Sequence, residues 1–393
     1  MKNILCKYLV MILMVSLSAF ALFSCGGDDG EDEIVPTHIS TKEDLLLLSD
    51  GGHFVLDNDI DCEGLSLKAI SNFWGSIDGQ GYKIHNVKLI SDTNCFGLIG
   101  SIKDATEDSG IDATIKNLAL TDFTIDTDYA SGNGSVFVGG LVGINNAQLE
   151  INGCYVSGNI NVDANSSETY IGGVVGYCFD LSTIKNTTSD VNLSCYVDQK
   201  TLKNCKVYTG GFVGQIGSYW SSATELENLV FAGSIDVDTS LTNTLNMTIR
   251  IGGMVGEVEG YIDMVSCLSV PDFIKYDTLL DLDTKVGMLV GVKDESEILY
   301  SYWCDYSDYS LAEGERNIKC SLRPSTANSL GTPIALYKYQ MLEDDFMVGD
   351  YTFDDMNGAR KDSFLSFDPA LWSFGGLNSD GTLKLPVPKA IKN

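Results

Sequence analysis

The sequence predicts an all-β protein, a right-handed parallel β-helix with a cap at each end. The first observation is a short apolar segment with two adjacent glycines, FVGGLVG at 137–143, which recurs every 33 to 43 residues. The second is a strand-like run with a polar or asparagine interruption after each copy. The third is that the repeats show no helical period of apolar residues. Strand-built repeats of this length are typical of solenoids, in which stacked coils bury a shared core.

Residues 1–24 are predicted to be a lipoprotein signal peptide. Two lysines precede an apolar run at 8–23, which is typical of a secretory signal rather than of a membrane-spanning helix. The run ends in ALFSC at 21–25, which resembles the lipobox of bacterial lipoproteins. That resemblance implies cleavage before Cys25 and attachment of a diacylglyceryl group to its thiol. Ordinary secretion with a chance cysteine is the alternative.

The next segment, 25–36, is predicted to be an acidic tether. It contains GGDDGEDE at 26–33, a composition typical of a solvated linker. It also resembles the tether that follows the lipidated cysteine in surface-exported lipoproteins of Bacteroides-like bacteria. The resemblance implies a lipid-anchored protein of the outer membrane, exposed at the cell surface, with the membrane as its partner through Cys25.

The glycine repeat occupies the middle of the chain. Six copies align on their final glycines, which are Gly100, Gly143, Gly176, Gly214, Gly256 and Gly291. The residue before the final glycine is β-branched in every copy, which favours a strand. Glycine inside a strand indicates close approach of another backbone. We therefore expect one strand stacked on its own copies, with a neighbouring strand or loop lying on the glycines.

Each repeat is expected to contain three strands and to form one coil of the solenoid. The crossover rule for parallel strands predicts right-handed winding. A β-propeller is the alternative, because its four-stranded blades have a similar length. Blades need tight hairpin turns, often of the Asn-Gly type. The repeats contain only one Asn-Gly pair, at 152–153, and it lies inside a predicted strand.

These segments carry a family resemblance. The G-G-apolar-V-G strand, followed by a strand of I-x-N type, resembles the GLUG repeat of bacterial surface proteins. STKEDLLLLSDGGHFVLDNDIDCEG at 40–64 and WSFGGLNSDGTLKLPV at 372–387 resemble the opening and closing segments of such proteins. The resemblance implies a scaffold with an adhesin-like role. The repeat also stands beside the catalytic part of some immunoglobulin A proteases.

The repeat boundaries divide the rest of the chain into three parts. The predicted parts are an N-terminal cap with the first coils at 37–112, the GLUG-type repeats at 113–310 and a C-terminal cap at 311–393. A cap is expected because the last coil of a solenoid otherwise exposes unpaired strand edges.

Charge and residue content exclude several partners and cofactors. The formal net charge is −29, so the chain repels nucleic acids and anionic lipid headgroups. The three histidines, His38, His53 and His85, lie far apart and form no HExxH motif, so no zinc site is predicted. The segment DNDIDCEG at 57–64 lacks the glycine and glutamate of an EF-hand loop. We predict no resident cofactor and leave adventitious calcium open.

The cysteines do not predict a disulfide framework. Nine remain once Cys6 and Cys25 are set aside, an odd number with no CxxC pair. Several lie in apolar, strand-like surroundings, where buried free thiols behave as small hydrophobic side chains. We expect mostly free thiols, with one or two disulfides left open.

Paired carboxylates are the catalytic candidates, whereas spacing neither excludes nor favours a Ser-His-Asp combination. Acids two residues apart share one face of a strand and can flank a sugar ring. The pairs are Asp57, Asp59 and Asp61 in one segment, Asp236 and Asp238 in a second, and Asp281 and Asp283 in a third. The alternative is that they solvate the outer face of a half-buried strand, which we favour.

Two functions remain open from the sequence. The favoured one is a cell-surface lipoprotein, a non-enzymatic β-helical scaffold that presents loops for adhesion or for binding a glycan or host ligand. The alternative is a secreted carbohydrate-active enzyme, a polysaccharide lyase or glycosidase, on the same fold. The candidate glycan-contact aromatics are Tyr302, Trp303, Tyr306 and Tyr309.

Overall fold

The structure is a computed structural model of the whole chain. It describes residues 35–103, 112–127, 132–164, 166–197, 205–217, 223–238, 247–276, 283–293, 297–299, 301–305, 321–324, 347–348, 351–352, 370–373 and 387–392. Among these residues the regular structure is β-strand, apart from one 3-10 turn at Asp44–Leu47 that buries Leu45. No helix in the described part is long and apolar enough to cross a membrane.

The described residues form thirty-six strands. The first nine are β1 (Thr37–Ile39), β2 (Gly52–Leu56), β3 (Ile60–Asp61), β4 (Ser66–Lys68), β5 (Gly75–Asp78), β6 (Lys83–His85), β7 (Lys88–Ile90), β8 (Cys95–Phe96) and β9 (Ile99–Ile102). The next nine are β10 (Ala113–Lys116), β11 (Ala119–Thr127), β12 (Gly132–Gly139), β13 (Val142–Asn145), β14 (Leu149–Asn152), β15 (Tyr155–Asp163), β16 (Ser166–Gly172), β17 (Val175–Cys178) and β18 (Ser182–Tyr196).

The second half of the strands completes the solenoid and the C-terminal part. The strands are β19 (Cys205–Gly210), β20 (Val213–Ile216), β21 (Thr224–Phe231), β22 (Ser234–Asp238), β23 (Met247–Gly252), β24 (Val255–Val258), β25 (Ile262–Val265), β26 (Leu268–Ser269), β27 (Phe273–Tyr276), β28 (Asp283–Gly287) and β29 (Val290–Lys293). They continue with β30 (Glu297–Leu299), β31 (Tyr302–Asp305), β32 (Ser321–Pro324), β33 (Met347–Val348), β34 (Tyr351–Thr352), β35 (Trp372–Ser373) and β36 (Val387–Pro388).

Three long sheets run along the solenoid. Sheet C contains β8, β12, β16, β19, β23 and β28, and sheet B contains β9, β13, β17, β20, β24 and β29. Sheet A contains twenty strands, including β14, β15 and β18. One coil passes from sheet C to sheet B and then through two positions in sheet A, as β12, β13, β14 and β15 do. In the next coil the two positions in sheet A merge into the single strand β18.

Successive coils pair in parallel and in the register that the repeats predict. Val142 pairs with Ile99 of the preceding coil and with Val175 of the following one. The same column continues through Val213 and Val255. A propeller is excluded, because its blades are built from antiparallel hairpins. The parallel β-helix is confirmed; its hand and its caps stay predictions.

The predicted division of the repeat into strands was wrong. FVGGLVG is two strands, because β12 ends at Gly139 and β13 begins at Val142. Gly140 and Leu141 form a corner at which the chain leaves sheet C for sheet B. Sheet A supplies one to three strands to a coil, so a coil has three strands in β16, β17 and β18 and five in β23 to β27. We name this turn the glycine corner.

The expected packing on the glycines is confirmed. A Cβ at Gly140 would lie 2.5 Å from the carbonyl oxygen of Gly173, the equivalent glycine in the next coil. A Cβ at Gly173 would overlap the carbonyl oxygen of Gly211 and the hydroxyl of Ser189 from sheet A. The stacked corners are also hydrogen bonded, with the Gly140 N–H donating to Gly173 O at 3.3 Å.

The asparagine interruption is a second turn, between the first and the second positions in sheet A. The residues that turn the chain share the left-handed conformation and stack in one column, Asn117, Gly153, Asn186, Asn228 and Ser266. Asn228 Nδ2 donates to Asn186 Oδ1 at 3.3 Å, and Asn186 Nδ2 donates to Asn152 Oδ1 at 3.1 Å. Asparagine adopts this conformation more readily than most residues. We name this turn the asparagine bend.

The core lies inside the coils. The first position of sheet A contributes one apolar column, Ile115, Ile151, Ile184, Leu226, Met264 and Ile298. Each of these side chains is at most 5% exposed. Burying one such side chain contributes about 1.5–3 kcal/mol, so the columns rather than any single contact hold the coils together.

The last described residues, 387–392, lie against the early coils. β35 and β36 form an antiparallel pair that buries Trp372. The Lys392 N–H donates to Gly81 O at 2.7 Å, and its ammonium lies 3.1 Å from the centre of the Tyr82 ring. These residues therefore run beside the first coils, and a cap over the last coil stays a prediction.

Candidate functional site

Three of the predicted site residues lie outside the described residues. These are the lipidation site Cys25 and the aromatics Tyr306 and Tyr309. The backbone of Tyr302 and Trp303 lies in β31, which pairs in parallel with β26 and antiparallel with β32. The first residues of the predicted aromatic patch at 302–309 thus belong to a strand, β31.

The acids of the first catalytic candidate each have a structural partner. Asp57 accepts hydrogen bonds from His38 Nδ1 at 2.7 Å and from Ser40 Oγ at 2.9 Å. Asp61 accepts one from Asn86 Nδ2 at 2.9 Å. These hydrogen bonds, from His38 to Asp57 and from Asn86 to Asp61, lower the pKa of both carboxyls. An acid that stays ionised cannot donate a proton to a leaving group at neutral pH.

The other acid pairs also bridge coils. Asp59 accepts a hydrogen bond from the backbone N–H of Lys83 at 3.1 Å. Asp236 lies 2.9 Å from the ammonium of Lys275, its register partner in the next coil. Asp283 lies 2.6 Å from Arg250 Nη2. Asp281 is outside the described residues.

The described carboxylates do not gather around a cation. No group of three or more histidine, cysteine, aspartate or glutamate side chains in the described part is arranged to hold a metal ion. In-register ion pairs use several acids instead, such as Asp78 with Lys116 and Glu168 with Lys206. Opposite charges on neighbouring strands favour the observed register.

A stack of aromatic rings runs along sheet C. Phe137, Tyr170 and Tyr208 are register partners in three successive coils, and each neighbouring pair has ring centroids 5.0 Å apart. Tyr177 of sheet B packs beside them, 4.9 Å from Tyr170. The rings cover one another's faces, so the stack stabilises the coils and offers no flat platform. The aligned repeats contain its signal, an aromatic residue two places before the double glycine.

An ion pair continues the aromatic stack. Arg250 is the register partner of Tyr208, and its Nε donates to Glu257 Oε1 at 3.2 Å. Gln215 Nε2 donates to the other oxygen of Glu257 at 2.8 Å. Burial, followed by the neighbouring Glu259, raises the pKa of Glu257. These contacts give the carboxylate a structural role.

Two other aromatic rings are exposed at the turn from sheet B to sheet A. Phe179 is 43% exposed and Tyr261 is 46% exposed. Their backbones are held by neighbouring coils, with Phe179 N donating to Asn145 O at 2.8 Å and Thr224 N donating to Tyr261 O at 3.0 Å. They lie two coils apart, roughly 10 Å along the axis at a strand spacing of about 4.8 Å. We name this pair of rings the aromatic edge.

The length of the coils varies at several turns but not at the glycine corner. The glycine corner has two residues in each of its six copies, from 97–98 to 288–289. The turns from sheet B to sheet A and from sheet A to sheet C vary, as 179–181 and 217–223 show for the first kind. Because the flanking strands stack in register, the variable connections begin along two edges of the solenoid. The two rings of the aromatic edge lie along one of these edges.

A polar groove lies on the outer surface of sheet A. It has a volume of about 540 Å³ and is lined by Lys88, Asp126, Asn161 and Asp163, among others. Asn161 Nδ2 donates to Asp126 Oδ1 at 2.9 Å, and Lys88 Nζ lies 3.4 Å from the same carboxylate. The groove therefore joins neighbouring coils and contains no exposed aromatic ring.

Comparison with known proteins assigns no role to these surfaces. No family model, no curated protein and no solved structure matches the chain.

Proposed function

We propose that the protein is a lipid-anchored scaffold of the cell surface, of the GLUG-repeat type, that binds a glycan or a host matrix protein without catalysis. The observation that carries this proposal is the aromatic edge. Phe179 and Tyr261 are exposed rings on rigid backbone, at a turn where the length of the coils varies. The structural partners of the candidate acids support binding over catalysis.

The physical argument rests on preorganisation. An exposed ring loses apolar surface to water when a ligand covers it, which favours binding. A ring held by neighbouring coils also loses little conformational freedom in the complex. Both conditions hold at Phe179. Its ring also packs beside that of Tyr177, with the two ring centroids 6.2 Å apart.

The charge of the protein narrows the classes of ligand that it can bind. A net charge of −29 repels anionic polymers at long range. A neutral glycan avoids this repulsion and presents apolar C–H faces to aromatic rings. We therefore propose neutral glycans ahead of uronic acid polymers, and basic segments of matrix proteins as the second choice.

A glycan and matrix-protein array with the tagged mature protein tests the binding. Phe179→Ser and Tyr261→Ser should each weaken binding of the ligand that the array selects about tenfold or more. Each tenfold loss of affinity is equivalent to about 1.4 kcal/mol. Phe273→Ser and Tyr276→Ser are matched controls, because these rings are 47% and 39% exposed but lie on β27. Equal losses in all four variants, or losses only in the controls, would place the ligand elsewhere.

The anchor has its own test. Several acyl chains hold a protein on a membrane, whereas a single chain binds only marginally. Cys25→Ala removes the proposed attachment site and should move the protein from the membrane fraction to the soluble fraction. A variant that stays in the membrane fraction and still incorporates labelled lipid contradicts lipidation at Cys25.

A further inference from the structure

The first coil of the solenoid exposes two adjacent leucines. The 3-10 turn at Asp44–Leu47 follows β1 and contains Leu46 and Leu47, whose side chains are 62% and 55% exposed. The turn is fixed to the rest of the molecule by its other leucine, since Leu45 is fully buried in the core. We name the side chains of Leu46 and Leu47 the leucine turn.

An indole ring lies close to the same turn. Trp74 is 37% exposed, and its carbonyl oxygen accepts a hydrogen bond from the Gly51 N–H at 2.9 Å. Its ring covers Gly51, where a Cβ would lie 2.5 Å from a ring carbon. Tryptophan is enriched where proteins meet the surface of a bilayer, because its ring is apolar and its N–H is polar. Exposed apolar side chains that occur together indicate a surface with an apolar partner.

The leucine turn and Trp74 lie at one end of the described solenoid. Among the described strands, β1 pairs only with β2, which pairs in turn with β5. Toward the opposite end, β27 lies six strand spacings beyond β2 in sheet A. At about 4.8 Å per spacing, β27 is roughly 30 Å from β2. A partner that contacts the first coil alone therefore leaves most of the solenoid uncovered.

The chain before this end leads to the proposed lipidation site. Cys25 precedes Thr37, the first residue of β1, by twelve positions, and a chain of that length spans about 43 Å at most. An anchor at Cys25 therefore keeps the first coil within that distance of the bilayer. The tether sequence at 26–33, GGDDGEDE, has no large apolar side chain to cover the leucines. A tethered surface also needs little affinity of its own, because tethering gives it a high effective concentration at the membrane.

We propose that the leucine turn and Trp74 dock on the bilayer to which the protein is anchored, so that the solenoid stands on its first coil. This contact rests on the proposed lipid anchor, and its partner is a zwitterionic lipid surface. The net charge of −29 repels anionic headgroups, so apolar insertion supplies the contact. Glu43 and Asp44 directly precede the leucines. Because acids are costly to insert into lipid, they limit the insertion to the boundary between headgroups and acyl chains.

The contact sets the height of the aromatic edge above the membrane. Phe179 precedes β18 and Tyr261 precedes β25, which are four and six strand spacings from β2 in sheet A. At about 4.8 Å per spacing, the two rings stand roughly 20 and 30 Å from β2 along the axis. An upright solenoid thus holds both rings away from the lipid, where a ligand outside the membrane reaches them.

The test anchors the mature protein without acyl chains. Residues 26–393 carry an amino-terminal histidine tag and are held on phosphatidylcholine vesicles that contain a nickel-chelating lipid. Brominated phosphatidylcholine in these vesicles quenches tryptophan fluorescence on contact, and the Trp74→Phe protein supplies the signal of the other three tryptophans. We expect the Trp74 signal to be quenched. Unquenched Trp74 fluorescence in the vesicle-bound wild type overturns the proposal.

Surface variants assign the contact to the leucine turn. Combining Leu46→Ser with Leu47→Ser should remove most of the quenching and speed dissociation after addition of imidazole about tenfold or more. Phe273→Ser is the matched control, because this ring is 47% exposed but lies on β27, far from the first coil, and it should change neither value. Wild-type quenching in the leucine variant, or an equal loss in Phe273→Ser, would show that another face meets the membrane and would overturn the proposal.

The chelating lipid separates this contact from lipidation in the cell. A leucine turn that contacts the vesicles, in a protein whose Cys25 takes up no labelled lipid in cells, counts against the anchor alone. A leucine turn that makes no contact on the vesicles overturns the docking, whether or not Cys25 is lipidated.

Discussion

The glycine corner and the asparagine bend turn the chain in every full coil by opposite means. At the corner the side chain is missing, because the backbone of the next coil occupies its place. At the bend the side chain is present and its amide joins one coil to the next, as Asn228 does with Asn186. The corner therefore depends on the absence of a side chain, and the bend depends on a backbone conformation.

The residues at the two turns follow this difference. The bend accepts Gly153 and Ser266 as well as asparagine, because each adopts the left-handed conformation there. The second glycine of the corner is replaced only in the outermost copies, and Met288 takes its place in the last one. Sheets B and C end with that copy among the described strands. The glycine is thus kept at the four inner corners, where a Cβ would meet a carbonyl oxygen of the next corner, whereas Leu98 holds this position below Gly140.

The largest expected effect is at the glycine corner. Gly173→Val places side-chain atoms against Gly211 O and Ser189 Oγ. Because backbone of the next coil must move, we expect a loss of about 3 kcal/mol or more in the free energy of unfolding. Urea denaturation followed by circular dichroism measures this loss.

The control for the corner is Gly64→Asn. Gly64, unlike Gly173, has a positive φ, but a Cβ there meets no atom within 4 Å, and asparagine tolerates that conformation. Its free energy of unfolding should stay within about 0.5 kcal/mol of the wild type. Similar losses for Gly173→Val and Gly64→Asn would show that the corner is not packed.

The asparagine bend should discriminate between substitutions in a different way. Asn228→Gly keeps the left-handed conformation and loses only the hydrogen bond to Asn186, a cost of about 1 kcal/mol. Asn228→Val also forces a β-branched residue into that conformation, which adds about 1–2 kcal/mol. Denaturation curves of the two variants give the difference. If valine is tolerated as well as glycine, backbone conformation does not define the bend.

The sequence predicts the stacking well and the turns less well. The spacing of Val142, Val175 and Val213 gives the register directly, because identical positions of successive coils pair. Glycine is compatible with both a strand interior and a corner, so the break at Gly140 leaves no local signal. The position of Lys392 on Gly81 joins residues too distant in sequence for any periodic pattern.

The candidate site shows the same limit. Phe179 and Tyr261 stand outside the glycine strands, at connections that differ between coils. Their exposure depends on how neighbouring coils stack at these connections. The repeat pattern predicts only the positions that all coils share. The aromatic patch predicted at 302–309 followed composition, whereas the aromatic edge follows from three-dimensional placement.

The smallest expected effect separates two kinds of asparagine contact by pH. Asn86, which is also left-handed, donates to the Asp61 carboxylate, whereas Asn228 donates to an amide oxygen. The Asn86 hydrogen bond lowers the pKa of Asp61. A lowered folded pKa stabilises the protein above the unfolded value of about 3.9, and this contribution is lost as the pH falls through the folded pKa. Asp61→Asn should therefore melt below the wild type at pH 7, and the difference should shrink as the pH falls from the unfolded pKa through the lowered folded pKa of Asp61.

The matched variant for that measurement is Asn228→Gly, whose lost contact has no ionisable group. Its difference in melting temperature from the wild type should be nearly the same at pH 7, 5 and 3, since amide hydrogen bonds do not titrate in this range. A constant difference for Asp61→Asn over the same range would show that ionisation of Asp61 does not support the contact. A difference for Asn228→Gly that closes with acid would show that the bend senses pH through other groups.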